Sequence, residues 1–482
     1  MPHINLTIDK KTFPVLSKLA KLLSQKDIDA YLVGGYIRDS LLGKQTRDVD
    51  IAVKADASIL AKQIAQHFQG KFVLLDDVNK VARVVLPELY LDFSSIQGDI
   101  NADLLRRDFT VNAMAVDLSQ ALDKPSIIDP YGGQSDIESK TIRAVTQGAF
   151  TDDPARLLRS IRHTAQLRFT IDEKTRAIIK RDAELITNVP GERVCDELCA
   201  AIAAPDAAET IRLMDDLGLL TQLLPELDAC RGVDQPKEHN WDVFDHSIQT
   251  VATIEQLFND IIEDKNGLDQ IPWTQEIKSH FSQQISSGHL RMTILKIAAL
   301  LHDLGKPNTK SIVENGRTRF LGHDKEGADI ADRLMTRLRF SSKETKVVCN
   351  IIEHHMRPTQ LSNKWEMPTR HALYRYFRDT GDEAFDILFL NLADHLAARG
   401  PLLDPDEWKN HVKLISYVLN KHDQEPNVVK PPKLIDGNDL QKLGYEPGPK
   451  IGATLETIRE ALAAGEISTK DDALDLARSL FN

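Results

Sequence analysis

Asp48 and Asp50 stand one residue apart in "RDVDIAV", after a glycine pair, Gly34-Gly35, and an arginine, Arg38, in "LVGGYIRDSLLG". In a strand, residues two apart project from the same face, so both carboxylates would point together while Val49 turned to a core. Two acids that close repel each other unless a cation lies between them. Mg²⁺ takes oxygen ligands and commonly binds through one or two carboxylates plus phosphate oxygens. Paired glycines at a strand end let the backbone approach a phosphate and offer N–H donors. Arg38, one turn into the helix that follows, would add a charge-assisted donor. Alone, each feature reads as a turn or a solvated strand end; together they read as a site for a nucleoside triphosphate and Mg²⁺.

The segment "TDDPARLLRSIR" (151–162) carries a second set. Asp152 or Thr151 can cap a helix with Pro154 in its first turn, which would put Asp153 and Arg156 on neighbouring positions of one face. Arg159 and Arg162 continue at the same spacing, opposite Leu157, Leu158 and Ile161. A carboxylate accepts hydrogen bonds and a guanidinium donates them. Adenine and cytosine each present an amino donor beside a ring-nitrogen acceptor, which matches Asp153 and Arg156. Guanine and uracil present the reverse and would leave both side chains mispaired. Such a pair would select A and C with no nucleic-acid template. In "RRDFTVNAMAV", Arg106, Arg107 and Asp108 would serve a triphosphate or hold the site together. Asp92 in "LYLDF" is either a third carboxylate or the partner of an arginine.

A third set is rich in histidine: His246 in "DVFDHSIQT", His302-Asp303 in "ALLHDLGKP", His323 in "LGHDKEGA", His354-His355 in "EHHMRP" and Asp394 in "LADHLAA". Adjacent His-Asp on a helix, with further His and Asp on other helices, suits a divalent metal. His239, His280 and His371 read as structural.

These residues must be positioned by elements that the pattern also indicates. Up to about residue 145, short apolar runs ("AYLVGG", "VDIAV", "KFVLL", "ARVVL", "LYLDFS", "VNAMAVD") alternate with helical stretches, an α+β reading with a small mixed sheet. "RVVLPELYLDF" reads as a hairpin turning at Pro87-Glu88. From about 150 the pattern is helical. "NDIIEDKNGLDQIPWTQE" reads as a loop insertion and "HDQEPNVVKPPKL" (422–434) as a hinge before a last helical segment.

At 482 residues the chain exceeds what one core serves, and we expect a multidomain, mainly α protein. The expected divisions are an α+β head (1–148), a helical neck and body (149–235), a histidine-rich helical domain (236–400) and a helical tail (401–482). Hydrophobic residues at 42% and charged residues at 27% are ordinary for a globular chain. "MPHINLTIDKKTF" lacks the apolar run of a signal peptide, and "LKIAALL" is too short to span a membrane. Cys195, Cys199, Cys230 and Cys349 show no zinc-type pairing. Cys195 and Cys199, one helical turn apart, read as small buried residues rather than a ligand pair. A reducing, cytoplasmic location is expected. The net charge of −12 weighs against broad coating by nucleic acid but not against a local basic groove.

The stretch "GGYIRDSLLGKQTRDVDI" resembles the signature of class II tRNA nucleotidyltransferases and bacterial poly(A) polymerases, within the polymerase-β-like superfamily. The resemblance continues in order through "LLRRDFTVNAMAVD", "DPYGGQSDIESKTIR", "DDPARLLRSIR" and "ERVCDE". It implies metal-binding catalytic aspartates at Asp48 and Asp50, with nucleotide contacts from Gly34, Gly35, Arg38, Arg106, Arg107, Asp153, Arg156, Arg159 and Arg162. Arg107 is preferred over Arg106 by alignment to the motif. Asp152 departs from the family's usual Glu.

"HDLGKP" resembles the HD-domain phosphohydrolases. Matched residue by residue, that resemblance implies His246, His302, Asp303 and Asp394 as ligands of a divalent metal of open identity. His323 and His354 or His355 are weaker candidates for a second metal or a phosphate.

The implied function is addition of CCA to tRNA 3′ ends from CTP and ATP, with phosphohydrolase activity in the HD domain. Arg159, Arg162, Arg168, Lys180 and Arg181 would meet tRNA phosphates. Enzymes adding only A or only CC share every motif quoted and stay as alternatives, followed by a poly(A) polymerase. A phosphohydrolase whose front half merely binds nucleotides is the last of them.

Overall fold

The computed structural model describes residues 8–481 apart from 78–79, 122–124, 264, 266–267, 287, 315 and 362–365. Part of the stretch between "KFVLL" and "ARVVL" and parts of the "NDIIEDKNGLDQIPWTQE" insertion thus lie outside the described residues. The chain forms two compact units, residues up to 189 with 217–219, and residues 190–216 with 220 onward. Among the described residues no helix is long and apolar enough to cross a membrane.

The first unit is built on a seven-stranded sheet. Its strands are β1 (Ala30–Val33), β2 (Asp48–Val53), β3 (Lys71–Asp76), β4 (Val81–Val85), β5 (Tyr90–Ser95), β6 (Ala115–Asp117) and β7 (Ile127–Ile128), in the order β3-β4-β5-β2-β1-β6-β7. Among the described residues of this sheet, only β2 and β5 pair in parallel. β4 and β5 form the expected hairpin, with Val85 opposite Tyr90. On β2, Val49 and Ile51 are fully buried, so the alternation carries Asp48 and Asp50 to the opposite face. The helix Ala57–Phe68 buries Leu60, Ala61 and Ile64 and packs on β3, β4 and β5. Asp56 caps it by accepting from the Ser58 and Ile59 N–H groups.

One local expectation is corrected. Asp153 does not lie on the helix with Arg156: a turn of helix, Ala149–Asp152, ends before it, and the next helix is Arg156–Leu167. Asp153 itself is extended, at φ −147° and ψ 100°. The cause is Pro154, whose ring disfavours helical backbone in the preceding residue.

The second unit is helical, with two small hairpins (Gln284–Ser286 with His289–Leu290, and Lys310–Ile312 with Thr318–Phe320). Helices Val243–Ile262, Arg291–Leu301, Ser342–His354 and Ala384–Arg399 pack on one another in its interior. The stretch expected as a hinge is partly helical, since Pro405–Gln424 runs into it and the single turn Pro426–Val429 follows. Beyond it, Ile435, Leu440, Tyr445, Ile458, Ala473 and Ala477 make a separate apolar cluster.

Candidate active sites

The first site is a cleft of about 840 Å³ in the first unit, lined by Asp50, Asp92, Asp103, Arg106, Arg107, Asp108, Asp152, Asp153, Arg156 and Arg159 among others. β1 ends at Gly34, whose φ of +68° turns the chain into the helix Gly35–Leu41. The Gly35 N–H donates to Asp50 Oδ2 at 3.1 Å. A Cβ at Gly34 would lie 2.8 Å from Arg107 Nη1 and 3.0 Å from Asp50 Oδ2. The position therefore demands glycine on two grounds, conformation and space.

Asp50 faces Asp92 across the β2–β5 register. Burial, then the charges of Asp92 and Asp48, push the Asp50 carboxyl above its ordinary value against the pull of Arg107 and the Gly35 N–H. A carboxylate so disfavoured is a natural ligand for a cation. Asp48 lies at the exposed start of the strand, 3.4 Å from Arg83 Nη2. Arg83 grips Asp92 through two bonds of 2.7 Å, so Asp92 has an arginine partner and also stands on the cleft wall opposite Asp50.

Arg106 and Arg107 are held by Asp103, which is 1% exposed. Arg106 Nε donates to Oδ1 at 3.0 Å and Arg107 Nη2 to Oδ2 at 3.2 Å. Asp103 escaped the sequence reading, although its spacing of three and four residues from the two arginines on a helix end was visible. Arg156 is anchored by the Arg106 carbonyl at 2.7 Å and the Ala149 carbonyl at 3.1 Å, and Asp153 Oδ1 takes the Ala155 N–H at 3.2 Å.

Five residues expected at this site are not in the cleft wall: Gly34 and Gly35, which stand behind Asp50, Asp48 at the exposed strand start, and Arg38 and Arg162. Arg38 is buried and gives its guanidinium to Asn112 at 2.6 Å and to Asp39 at 2.9 Å. Arg162 is likewise absent from the cleft wall, one helical turn beyond Arg159. Asp108 proves to be an organiser: it accepts from Phe109 N–H at 2.7 Å, Asn112 Nδ2 at 3.0 Å and Arg159 Nη1 at 3.3 Å.

The second site lies in the second unit, where several helices bring side chains to one point. His246 comes from Val243–Ile262 and Asp394 from Ala384–Arg399; His302 and Asp303 follow Arg291–Leu301, His323 opens His323–Arg337, and His355 follows Ser342–His354. His246 Nε2 is 3.0 Å from Asp394 Oδ1, 3.4 Å from Asp303 Oδ2 and 3.3 Å from His302 Nε2. On the other side of Asp303, His323 Nε2 is 3.6 Å from Oδ1 and 3.3 Å from His355 Nε2. The structure thus brings His355, not His354, into the cluster: His355 is fully buried, and its predecessor on the helix points elsewhere and is half-buried. His239, expected as structural, lies with Asp303, His323, His355 and Asp394 in the wall of a cavity of about 610 Å³. His280 is structural, paired with Asp386 at 2.8 Å.

Three backbone carbonyls fix the imidazoles. The Ala299, Phe320 and Ile352 oxygens take the Nδ1 atoms of His302, His323 and His355 at 2.8, 2.7 and 2.6 Å, which frees each Nε2 as a ligand. Burial alone would strip the proton from His302, yet Asp303 and Asp394 raise its pKa to about 10; carboxylates that would hold a proton there would equally hold a cation. Both Asp303 oxygens are buried without a hydrogen bond, with Lys306 Nζ as an ion-pair contact 2.6 Å from Oδ2. The donor set of imidazoles and carboxylates fits one or two divalent metals sharing Asp303.

Three family descriptions match the chain. "Poly A polymerase head domain" covers residues 30–85 and 80–143, "Probable RNA and SrmB- binding site of polymerase A" covers 168–231, and "HD domain" covers 243–399. The chain is 32% identical to the A-adding tRNA nucleotidyltransferase of Deinococcus radiodurans over 92% of its own length and 94% of that protein's. It is 30% identical to the CC-adding tRNA nucleotidyltransferase of Thermus thermophilus over 92% of each. In fold it matches the Thermotoga maritima CCA-adding enzyme complexed with tRNA, at a TM-score of 0.62 and 21% identity over 98% of this chain and 97% of that one. On the strength of these full-length relationships and of the two sites just described, the chain belongs to the class II tRNA nucleotidyltransferase and poly(A) polymerase family and carries an HD domain.

Proposed function

We propose that this protein rebuilds the CCA terminus of tRNA, taking CTP and ATP without a template. The observation that carries the reading is the single cleft shared by Asp50, Arg107, Asp153 and Arg156, which unites a place for a triphosphate with a place for its base. The primer's terminal 3′-hydroxyl attacks the α-phosphate, the new phosphodiester forms, and pyrophosphate leaves. Asp48 and Asp50 would hold Mg²⁺, which when bound activates the hydroxyl and neutralises the leaving pyrophosphate. Arg107, fixed by Asp103, faces the phosphates. Asp153 accepts from the amino group of A or C, and Arg156 donates to the neighbouring ring nitrogen. Arg159 braces the cleft through Asp108, and Arg168, Lys180 and Arg181 on the following segment offer charge to the tRNA backbone.

In the HD domain, His246, His302, Asp303 and Asp394 would hold one divalent metal, and His323 and His355 would extend the set toward a second. Lys306, Arg317 and Arg319 rim the same cavity and suit a phosphate ester, so this site is assigned phosphohydrolase activity.

A second reading has a specific observation behind it. The relatives aligned over 92–96% of this chain are A-adding or CC-adding enzymes, whereas the multifunctional CCA proteins align over 65–67% of it. An enzyme adding only A or only CC is therefore the direct rival. Three tRNA primers decide the matter: one ending before CCA, one ending in CC and one complete. With Mg²⁺ and labelled CTP and ATP, completion of CCA on the shortest primer establishes the full activity. Extension of the CC-ended primer alone by A, or of the shortest by CC alone, establishes the partial enzyme. No incorporation on any primer overturns the transferase assignment.

A further inference from the structure

Away from both sites, in the interior of the second unit, two thiols and an imidazole meet. Cys195 and Cys199 lie one turn apart on the helix Gly191–Ala203 and are 4% and 1% exposed. His289 opens the second strand of the Gln284–Ser286/His289–Leu290 hairpin, ninety residues further along the chain. The ligand atoms of the three residues all lie within 4.8 Å of one another.

The imidazole is held from behind. His289 Nδ1 is 2.8 Å from Glu344 Oε1, and Glu344 is fully buried. The other Glu344 oxygen is fixed in turn by the Ser341 N–H at 2.9 Å and the Ser341 hydroxyl at 2.7 Å, at the start of the helix Ser342–His354. A buried carboxylate gripping one ring nitrogen is the arrangement that orients metal-ligating histidines and raises their basicity. It leaves Nε2 as the nitrogen able to serve as a ligand. One Glu344 oxygen serves the capping box with Ser341, and the other is turned on an imidazole that stands against two sulfurs. With no cation present, the hydrogen bond between the cysteines and their burial keep Cys199 a thiol.

We propose that Cys195, Cys199 and His289 form a binding site for a thiophilic divalent cation of the Zn²⁺ class, with Glu344 orienting the histidine. Two thiolates and one imidazole are a recognised zinc donor set, and a fourth position is completed by water. Binding replaces two thiol protons by the cation, with no change of oxidation state. The consequence is mechanical: the ion ties the helix Gly191–Ala203 to the hairpin and, through Glu344, to the helix Ser342–His354. The sulfur ligands set it apart from the HD cluster, whose donors are nitrogen and oxygen only.

That difference provides the test. The full-length protein, stripped of metal, is titrated with Co²⁺ and read by absorption spectroscopy. The expected result is a thiolate-to-cobalt charge-transfer band whose saturating intensity corresponds to one site per chain and which Zn²⁺ displaces. It should persist when the HD cluster is disabled by Asp303→Asn and disappear in Cys199→Ser. Because the band is read first on the unaltered protein, the outcome does not depend on whether a variant folds. Cobalt spectra without a sulfur band, or a sulfur band unaffected by Cys199→Ser, overturn the proposal. So does a Cys195–Cys199 disulfide found in the protein purified without reductant and retained in the presence of Zn²⁺.

Discussion

Arg38 donates to the side-chain carbonyl of Asn112 at 2.6 Å, and this bond decides the role of both residues. With its oxygen committed, the Asn112 amide nitrogen donates both to Asp108 at 3.0 Å and to His163 Nε2 at 3.2 Å. His163 must therefore accept at Nε2, as a neutral ring protonated on Nδ1. Asp108 meanwhile receives Arg159. A buried polar chain, Arg38–Asn112–Asp108–Arg159, thus connects the helix behind the glycine pair to the helix that follows the base-reading turn.

Replacing Asn112 by alanine should strip partners from Arg38, Asp108 and His163 together. Each buried polar group left without a partner costs about 1–3 kcal/mol, more where it is charged. We expect destabilisation on the order of 3 kcal/mol, read as faster hydrogen exchange in the helices Gly35–Leu41 and Arg156–Leu167. Nucleotide addition should fall with it. Unchanged exchange in both helices would show that the chain is not the connector.

The same chain sets a pH dependence. Despite burial, the Arg159 charge and the hydrogen bonds from the Asn112 amide and the Phe109 N–H lower the Asp108 pKa from its ordinary 3.8 to about 2, and burial together with Arg38 and Arg162 holds His163 well below its ordinary 6.5. The Asp108 contribution, about 2 kcal/mol, is fully present above pH 3.8 and is lost as the pH falls toward 2. For His163 the unfolded chain takes up a proton as the pH drops through 6.5 while the folded chain does not, so stability declines from there downward. His163→Gln keeps an acceptor and removes the titration. Its stability deficit should therefore shrink as the pH is lowered from above 6.5 to about 5, measured by urea denaturation of the two proteins side by side. Parallel curves would refute the assignment.

How much of this was readable from the chain depends on the range over which each signal acts. The Asp-x-Asp strand, the glycine turn and the Pro87-Glu88 hairpin are local, and alternation of two or a turn dipeptide suffices to place them. Asp153 was misplaced because the brake Pro154 exerts on its neighbour was read as helix initiation. Arg38 was read as a phosphate donor because spacing says how far along a helix a residue sits, not which distant side chain claims it; Asn112, 74 residues away, is invisible to periodicity. His354 and His355 are adjacent, and only the packing of the helix Ser342–His354 tells which ring turns inward. His289 failed to appear beside Cys195 and Cys199 for the same reason: the third donor lies on another element.

Asp153 and Arg156 make the base selection testable one residue at a time. Arg156→Ala removes the donor to the ring nitrogen and also the anchor on the Ala149 and Arg106 carbonyls; Asp153→Ala removes the acceptor. A hydrogen bond to a charged group is worth about 1.5–3 kcal/mol. Preference for CTP and ATP over UTP and GTP should therefore fall by roughly 10- to 100-fold in either variant. Single-nucleotide incorporation, compared as kcat/KM for each triphosphate, measures it. A uniform drop across all four nucleotides would assign the pair to positioning rather than to selection.

Two glycines offer a way to separate the two proposed activities. A Cβ at Gly305 would fall 2.1 Å from the His323 carbonyl, in the turn that carries His302 and Asp303 toward His323. Gly305→Ala must push that turn or the helix His323–Arg337 aside and spread the donors around Asp303. Phosphohydrolase activity should drop at least about 100-fold, the cost of displacing reacting groups by an ångström, while nucleotide addition continues. Gly34→Ala should do the opposite, because the new methyl group meets Asp50 and Arg107 at a backbone angle that disfavours alanine. Both activities are assayed on each purified variant, with a phosphate-ester substrate for one and a tRNA primer for the other. Loss of both activities in either variant would mean that the two units do not work independently.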